Sequence, residues 1–203
     1  AARIHDKEIR VRAAAAYALG AQRSHAVTKW LLEALADKDL NVRFAAAVAL
    51  ARIKDPASVD GLMAACRDKD EDVRAYAALA LGDIGDRRAT PRLVERMRED
   101  LIPMVRGFAG MALSKIRDPA SLEAIVAQVR GETDTKALSA AIYAVQELAD
   151  PKAAEAVKPH LKHADPEVQQ YAKDAMDVLE GRKKPEWQRE AAAPTPTKPT
   201  DGK

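Results

Sequence analysis

The sequence predicts an all-α fold, a right-handed α-α superhelix of about five and a half helix pairs, and three observations carry that expectation. One pattern recurs from end to end. Alanine holds the same two slots in every copy, and aspartate, proline and glycine fall where helices should start and stop.

The pattern is clearest from Asp70 to Gly85. Val11, Val42, Val73, Val105, Ala137 and Val168 align with one another in steps of 31, 31, 32, 32 and 31 residues, a spacing that marks a repeat array. Four residues on stand Ala15, Ala46, Ala77, Ala109, Ala141 and Ala172; seven on stand Ala18, Ala49, Ala80, Ala112, Ala144 and Ala175. Leucine, valine or methionine follows at eight, and isoleucine or leucine at eleven in all but the first copy, which has Gln22. On a helix these positions fall within one arc, so each copy carries a core-facing stripe. Alanine in its middle lets a neighbouring helix come close.

Taken in order, the chain enters the first such helix near Asp6, with no room for a helix before it. The array is therefore expected to begin half-way through a unit, as a fragment of a longer protein or with that face covered by something else. Each later copy is preceded by a second apolar helix, marked by Leu31, Leu32 and Leu35, then Leu62, Met63 and Cys66, then Leu93, Val94 and Met97, then Ile125, Val126 and Val129, and finally Val157 and Leu161. Asp39, Asp70, Asp134 and Asp165 stand as N-caps three residues before the stripe. Asp55-Pro56, Asp118-Pro119, Asp150-Pro151 and Asp165-Pro166 put proline at the first helical position, and Gly85 and Gly131 sit where helices should end. The sixth copy turns polar on its outer side at Gln170, Lys173, Asp174 and Asp177, as a terminal cap should.

These residues resemble the HEAT-repeat family, in particular its short phycobilisome-lyase-like form, whose second helix reads Asp-x-x-Val-Arg-x-x-Ala-Ala-x-Ala-Leu. Asp39 to Leu50 and Asp70 to Leu81 match it, and the likeness runs from about residue 6 to 180. The resemblance implies an architecture and not an activity. It also implies that the Asp and Arg of the motif pair between neighbouring repeats. Because Ile102 replaces the Asp of the fourth copy, and Leu138 and Gln169 the Arg of the fifth and sixth, that ladder should weaken toward the C-terminus.

Composition narrows the classes. With 47% hydrophobic and 32% charged residues the chain is neither disordered nor membrane-spanning in character, and no run approaches the roughly 18 apolar residues of a transmembrane helix. The formal charge is +2, from 33 basic and 31 acidic residues. Residues 181–203 contribute six of the former and three of the latter, so residues 1–180 are close to neutral, which argues against a nucleic-acid binder. The lone Cys66 excludes an internal disulfide and favours packing over reactivity. With no leader sequence in view it points to the cytoplasm, with export after processing as the alternative.

The search for chemistry finds no catalytic residue and calls for no cofactor. His5, His25, His160 and His163 lack the His-Glu pairs by which HEAT-repeat deoxyhypusine hydroxylases bind iron. His160 and His163, three apart, have no third ligand, so no metal site is expected. Arg88, Arg92 and Arg96 make a possible anion-binding ridge, but Glu95 and Glu99 interleave with them, and a solvated face with intrahelical ion pairs fits better. Bilin lyase activity, or a role in maturing chromophore proteins, enters by resemblance alone.

The informative surface lies two and six residues after each anchor, opposite the core arc. Those slots read Tyr17, Phe44, Val48, Leu79, Met111, Ser139 and Tyr143, an apolar strip on second helices that line the concave side of stacked HEAT repeats. The expectation is a non-catalytic protein-protein interaction scaffold or accessory subunit that holds a partner protein there. Two domains are expected: the solenoid over residues 1–180, and a Pro/Thr/Lys-rich tail over 181–203. In the tail Trp187 is the anchor, and the segment is expected to be an arm ordered by a partner, or else a plug that folds back on the strip.

Overall fold

The computed structural model describes residues 2–191. It is a right-handed α-α superhelix, with no strand among the described residues. A 3-10 turn at Ala2–His5 leads into α1 (Ile9–Ala21). Helix pairs then follow: α2 (Thr28–Leu35) with α3 (Leu40–Ile53), α4 (Val59–Ala65) with α5 (Glu71–Ile84), α6 (Thr90–Glu99) with α7 (Pro103–Ile116), α8 (Leu122–Gly131) with α9 (Thr135–Leu148), and α10 (Ala154–Val157), extended by a 3-10 turn, with α11 (Pro166–Leu179). A final short helix, α12 (Glu186–Ala191), follows. The part of the expected tail beyond residue 191 lies outside the described residues.

Capping explains most of the boundaries. The carboxylates of Asp39, Asp70, Asp134 and Asp165 each accept a backbone N–H from the first turn that follows, and Gly85 ends α5 in the left-handed region at φ +78°. Three of the four Asp-Pro pairs start 3-10 turns, at 56–58, 119–121 and 151–153, and the α-helices begin only after them, whereas Pro166 opens α11 directly. The alanine columns are buried from the second copy onward. In the first, Val11 and Ala15 are half-buried and Ala18 is exposed.

The two layers differ in spacing. Each second helix packs along its length on the next, α1 on α3, α3 on α5 and so on, whereas first helices barely touch one another. A stack held closer on one side must curve toward it, so the second helices form the inner face. The closest approach is at glycine: a Cβ on Gly82 would lie 2.5 Å from the Ala112 Cα, and one on Gly20 would lie 2.6 Å from the Ala49 Cβ.

A ladder of ion pairs joins the repeats. Arg12 grips Asp37 through Nε and Nη2 at 2.7 and 3.0 Å, and Arg43–Asp68, Arg74–Asp100 and Arg106–Glu132 repeat the two-pronged geometry. The third nitrogen of each guanidinium donates to carbonyls of the loop before its own helix, as Arg43 Nη1 does to Asp37 O. The ladder keeps four equivalent rungs and the weakening expected at Ile102 does not occur, because its acidic rung is not the N-cap aspartate of the motif. It is the residue two positions earlier, because the N-cap carboxylate is already engaged with the first turn of its helix. At the fifth junction Leu138 and His163 hold the corresponding positions, and no ion pair forms there among the described residues. His163 keeps half of the acid's role, since its Nδ1 accepts the Asp165 N–H at 3.1 Å as Glu132 accepts that of Asp134.

Burial works to raise the carboxyls of Asp37, Asp100 and Glu132. Hydrogen bonds from Arg12, Arg74 and Arg106, and from the following backbone N–H groups, outweigh it and hold all three below their usual range. A depressed acid stabilises the fold above its unfolded pKa of about 4 and loses that contribution as pH falls through the folded value. Thermal scans should therefore show Tm level from about pH 5 to 8, then falling steadily below about pH 4.

Candidate functional site

The inner face carries the strip, and its shape follows from the repeat register. Tyr17 on α1 and Met111 on α7 are the most open, at 38% and 37% exposure, while Phe44, Val48, Leu79 and Tyr143 are half-buried and Ser139 is buried. Beside them runs a column that sequence reasoning missed, three residues after each anchor: Tyr76, Phe108 and Tyr171. Phe44 meets Tyr76 edge-on with centroids 4.9 Å apart, Tyr76 meets Phe108 at 5.9 Å, and Tyr143 meets Tyr171 at 6.4 Å. The rings fill one another's sides, which is why Phe44 and Tyr143 are less open than an isolated pattern suggests. The signal was present, since aromatics otherwise rare in this chain recur at one register.

In the fifth copy that column holds Ala140. A methyl stands where neighbouring repeats place a ring, and a cavity of about 520 Å³ opens there, lined by Met111, Ser139, Ala140, Tyr143 and Tyr171, with Glu186 at its edge. Met111 and Tyr143 thus share one cavity. Tyr17 stands far along the array from both.

Trp187 is seated on the solenoid itself. Its indole Nε1 donates to the Glu147 carbonyl at 3.2 Å, and the Arg117 guanidinium lies over its ring, 4.9 Å from the centroid. The Glu186 N–H donates to Glu147 Oε1 at 3.1 Å, and the Tyr143 hydroxyl donates to Glu186 Oε2 at 2.7 Å. Lys183 binds Asp174 and Asp177, and Arg182 binds Asp177 at 2.8 Å. Two of the polar residues of the sixth copy, Asp174 and Asp177, thus receive the segment that follows them. The stretch from 182 to 189 lies as a strap on the solenoid; of the two forms the sequence suggested, an arm held by a partner and a segment folded back, these contacts belong to the second.

Other candidates resolve into structure. Arg88 pairs with Asp86, Arg92 with Glu95, and Arg96 with Glu95 and Asp100, so each arginine of the ridge has an acidic partner, although Glu95 is shared with Arg67 and Asp100 with Arg74. Arg92 and Arg96 are mostly packed rather than solvated, which corrects the expectation of an outer, water-facing row. His160 must carry its proton on Nε2, since that atom lies 3.0 Å from the Val129 carbonyl, which can only accept. Burial pushes the Cys66 thiol up to about 12, so it is a packing group at neutral pH. Among the described residues no group of three or more His, Cys, Asp or Glu is placed to hold a metal ion, and no helix is long and apolar enough to cross a membrane.

Comparison with known proteins agrees with this architecture. A family model for HEAT repeats matches residues 1–74 and 59–146. The chain belongs to the HEAT-repeat family. Among solved structures these HEAT repeats are similar to the complex of CpcE and CpcF of phycocyanin lyase from Nostoc sp. PCC7120, with 27% identity and a TM-score of 0.69 over 77% of this chain and 65% of that one. The chain therefore spans about two thirds of that relative. An engineered protein is similar at 21% identity and TM-score 0.70, covering 88% of this chain and 94% of that one. A designed armadillo repeat protein in complex with the peptide (KR)4 is similar at 16% and 0.66, covering 88% and 97%. These two show the fold alone. No curated protein matches the sequence.

Proposed function

We propose that this HEAT-repeat chain is a non-catalytic scaffold or accessory subunit that holds a helix or extended segment of another protein along Tyr17, Phe44, Val48, Leu79, Met111 and Tyr143. One observation supports it above the rest: apolar and aromatic side chains stay partly open in register across five successive second helices, α1 to α9, on the inner face. Scattered apolar residues need no explanation, but an aligned row does. Methionine and aromatic groups also suit adaptable protein contacts.

Leu79→Glu and Met111→Glu should each weaken partner capture by about 2 kcal/mol or more, roughly thirtyfold, while Tm moves by only a few degrees. Co-purification followed by mass spectrometry identifies the partner and gives the readout. Capture that survives both substitutions overturns the placement.

A second reading, maturation of a chromophore protein, rests on the likeness to the phycocyanin lyase complex. It requires a visible absorbance change when the chain is mixed with a bilin; the scaffold reading requires none. The lone buried cysteine favours a cytoplasmic setting, with an exported one as the alternative.

A further inference from the structure

The seat of Trp187 shows what chemistry the C-terminal end of the inner groove accepts. Four groups from two helices converge on two consecutive residues, Glu186 and Trp187. Glu147, only 5% exposed at the end of α9, takes the Glu186 N–H on its carboxylate and the indole N–H on its carbonyl. Tyr143, one turn earlier, donates to the Glu186 carboxylate. Arg117, held just past the end of α7 at φ +49°, covers the indole face, and Pro185 is buried beneath the turn. A backbone amide, a carboxylate and an indole are read together.

The upstream repeats do not carry this set. Where α9 has Tyr143 and Glu147, α7 has Met111 and Lys115 and α5 has Leu79 and Asp83; where Arg117 precedes α9, Gly85 precedes α7. The seat is specific to the α7–α9 junction.

Little holds its present occupant. The strap adds one six-residue helix, Trp187 stays 37% exposed, and the ion pairs of Arg182 and Lys183 are on the surface, where such pairs contribute little. Gly181, at φ +75°, joins the strap to α11. Glu186 also borders the cavity beside Met111 and Tyr143, so lifting the strap would open the groove from α7 to α11.

We infer that the α7–α9 junction is a recognition site for a segment carrying an acidic residue followed by tryptophan at the start of a helical turn, and that the chain's own Pro185-Glu186-Trp187 is a resident occupant which a partner segment of that chemistry displaces. This rests on the scaffold reading for its purpose, but its test needs no partner. A tethered strap acts at an effective concentration on the order of millimolar, so the wild-type chain should exclude a weak free peptide that a strap-deficient chain accepts.

The probe is a labelled peptide with the sequence of residues 182–191, titrated into the full chain and its variants. Trp187→Ala in the protein should bind it at least tenfold more tightly than wild type does. Arg117→Ala added to that variant should reverse the gain, and a peptide with alanine for its tryptophan should not bind. Equal binding by wild type and Trp187→Ala, or no binding by Trp187→Ala, overturns the inference. A second measurement uses a Trp30→Phe chain, in which Trp187 is the sole tryptophan. Its emission should be quenched by acrylamide less than that of the free peptide, and Arg117→Ala should close the difference; quenching equal to the free peptide from the outset sinks the idea. Leu79→Glu should leave peptide binding unchanged, so loss of partner capture and loss of peptide recognition report separate failures.

Discussion

Arg106→Leu should lower stability by about 3–5 kcal/mol, because it leaves Glu132, whose side chain is 2% exposed, charged and without its cation. The guanidinium supplies both prongs of the rung and also ties down the Asp100 carbonyl at 3.0 Å. The protein contains its own control. One repeat later Leu138 and His163 hold the two corresponding positions, and His163 still receives the backbone N–H that the acid would accept. Transplanting that solution as Arg106→Leu with Glu132→His should recover at least half of the loss. Denaturant unfolding of wild type, both single variants and the double variant closes the cycle. Additive losses would show that the rung is not a coupled pair.

Gly82→Ala should destabilise by about 1–3 kcal/mol, although alanine is favoured over glycine inside a helix by about 1 kcal/mol. The new Cβ would meet the Ala112 Cα at 2.5 Å and its Cβ at 2.8 Å. Neither atom can swing aside, so α5 and α7 must part. Gly110→Ala is the contrast. It lies in α7, one junction on, and its added Cβ finds nothing nearer than 3.6 Å, so propensity should win and stability should hold or rise. Thermal melts of the two variants shifting in the same direction would show that helix spacing is not set at Gly82.

The repeat was legible because burial here is periodic, and the same contact is made five times over by the same residue types. The rung was misassigned for a physical reason: before α3, α5 and α9 two acids stand two residues apart, Asp37 and Asp39 for example, and composition does not say which one caps and which one bridges. The copies themselves held the answer. Where the N-cap aspartate is lost, at Ile102, the earlier acid Asp100 remains and Arg74 still pairs; where the arginine is lost, at Leu138, the earlier acid is lost as well and Asp165 stays. The cavity at Ala140 was hidden because an alanine among alanines looks ordinary until its neighbours prove to be rings. The seating of Trp187 was beyond reach, since it depends on where Gly181 turns the chain.

The rungs also set how the molecule responds to force. A stack in which each unit touches only its neighbours behaves as springs in series, and its compliance concentrates at the weakest coupling. Among the described residues four couplings are joined by paired charges and the one between α9 and α11 is not. The strap crosses that joint, fastened to Asp174 and Asp177 on one side and to Tyr143 and Glu147 on the other. It spans the one joint without a charged rung among the described residues, so a protein that unseats Trp187 would also remove the contacts that cross it.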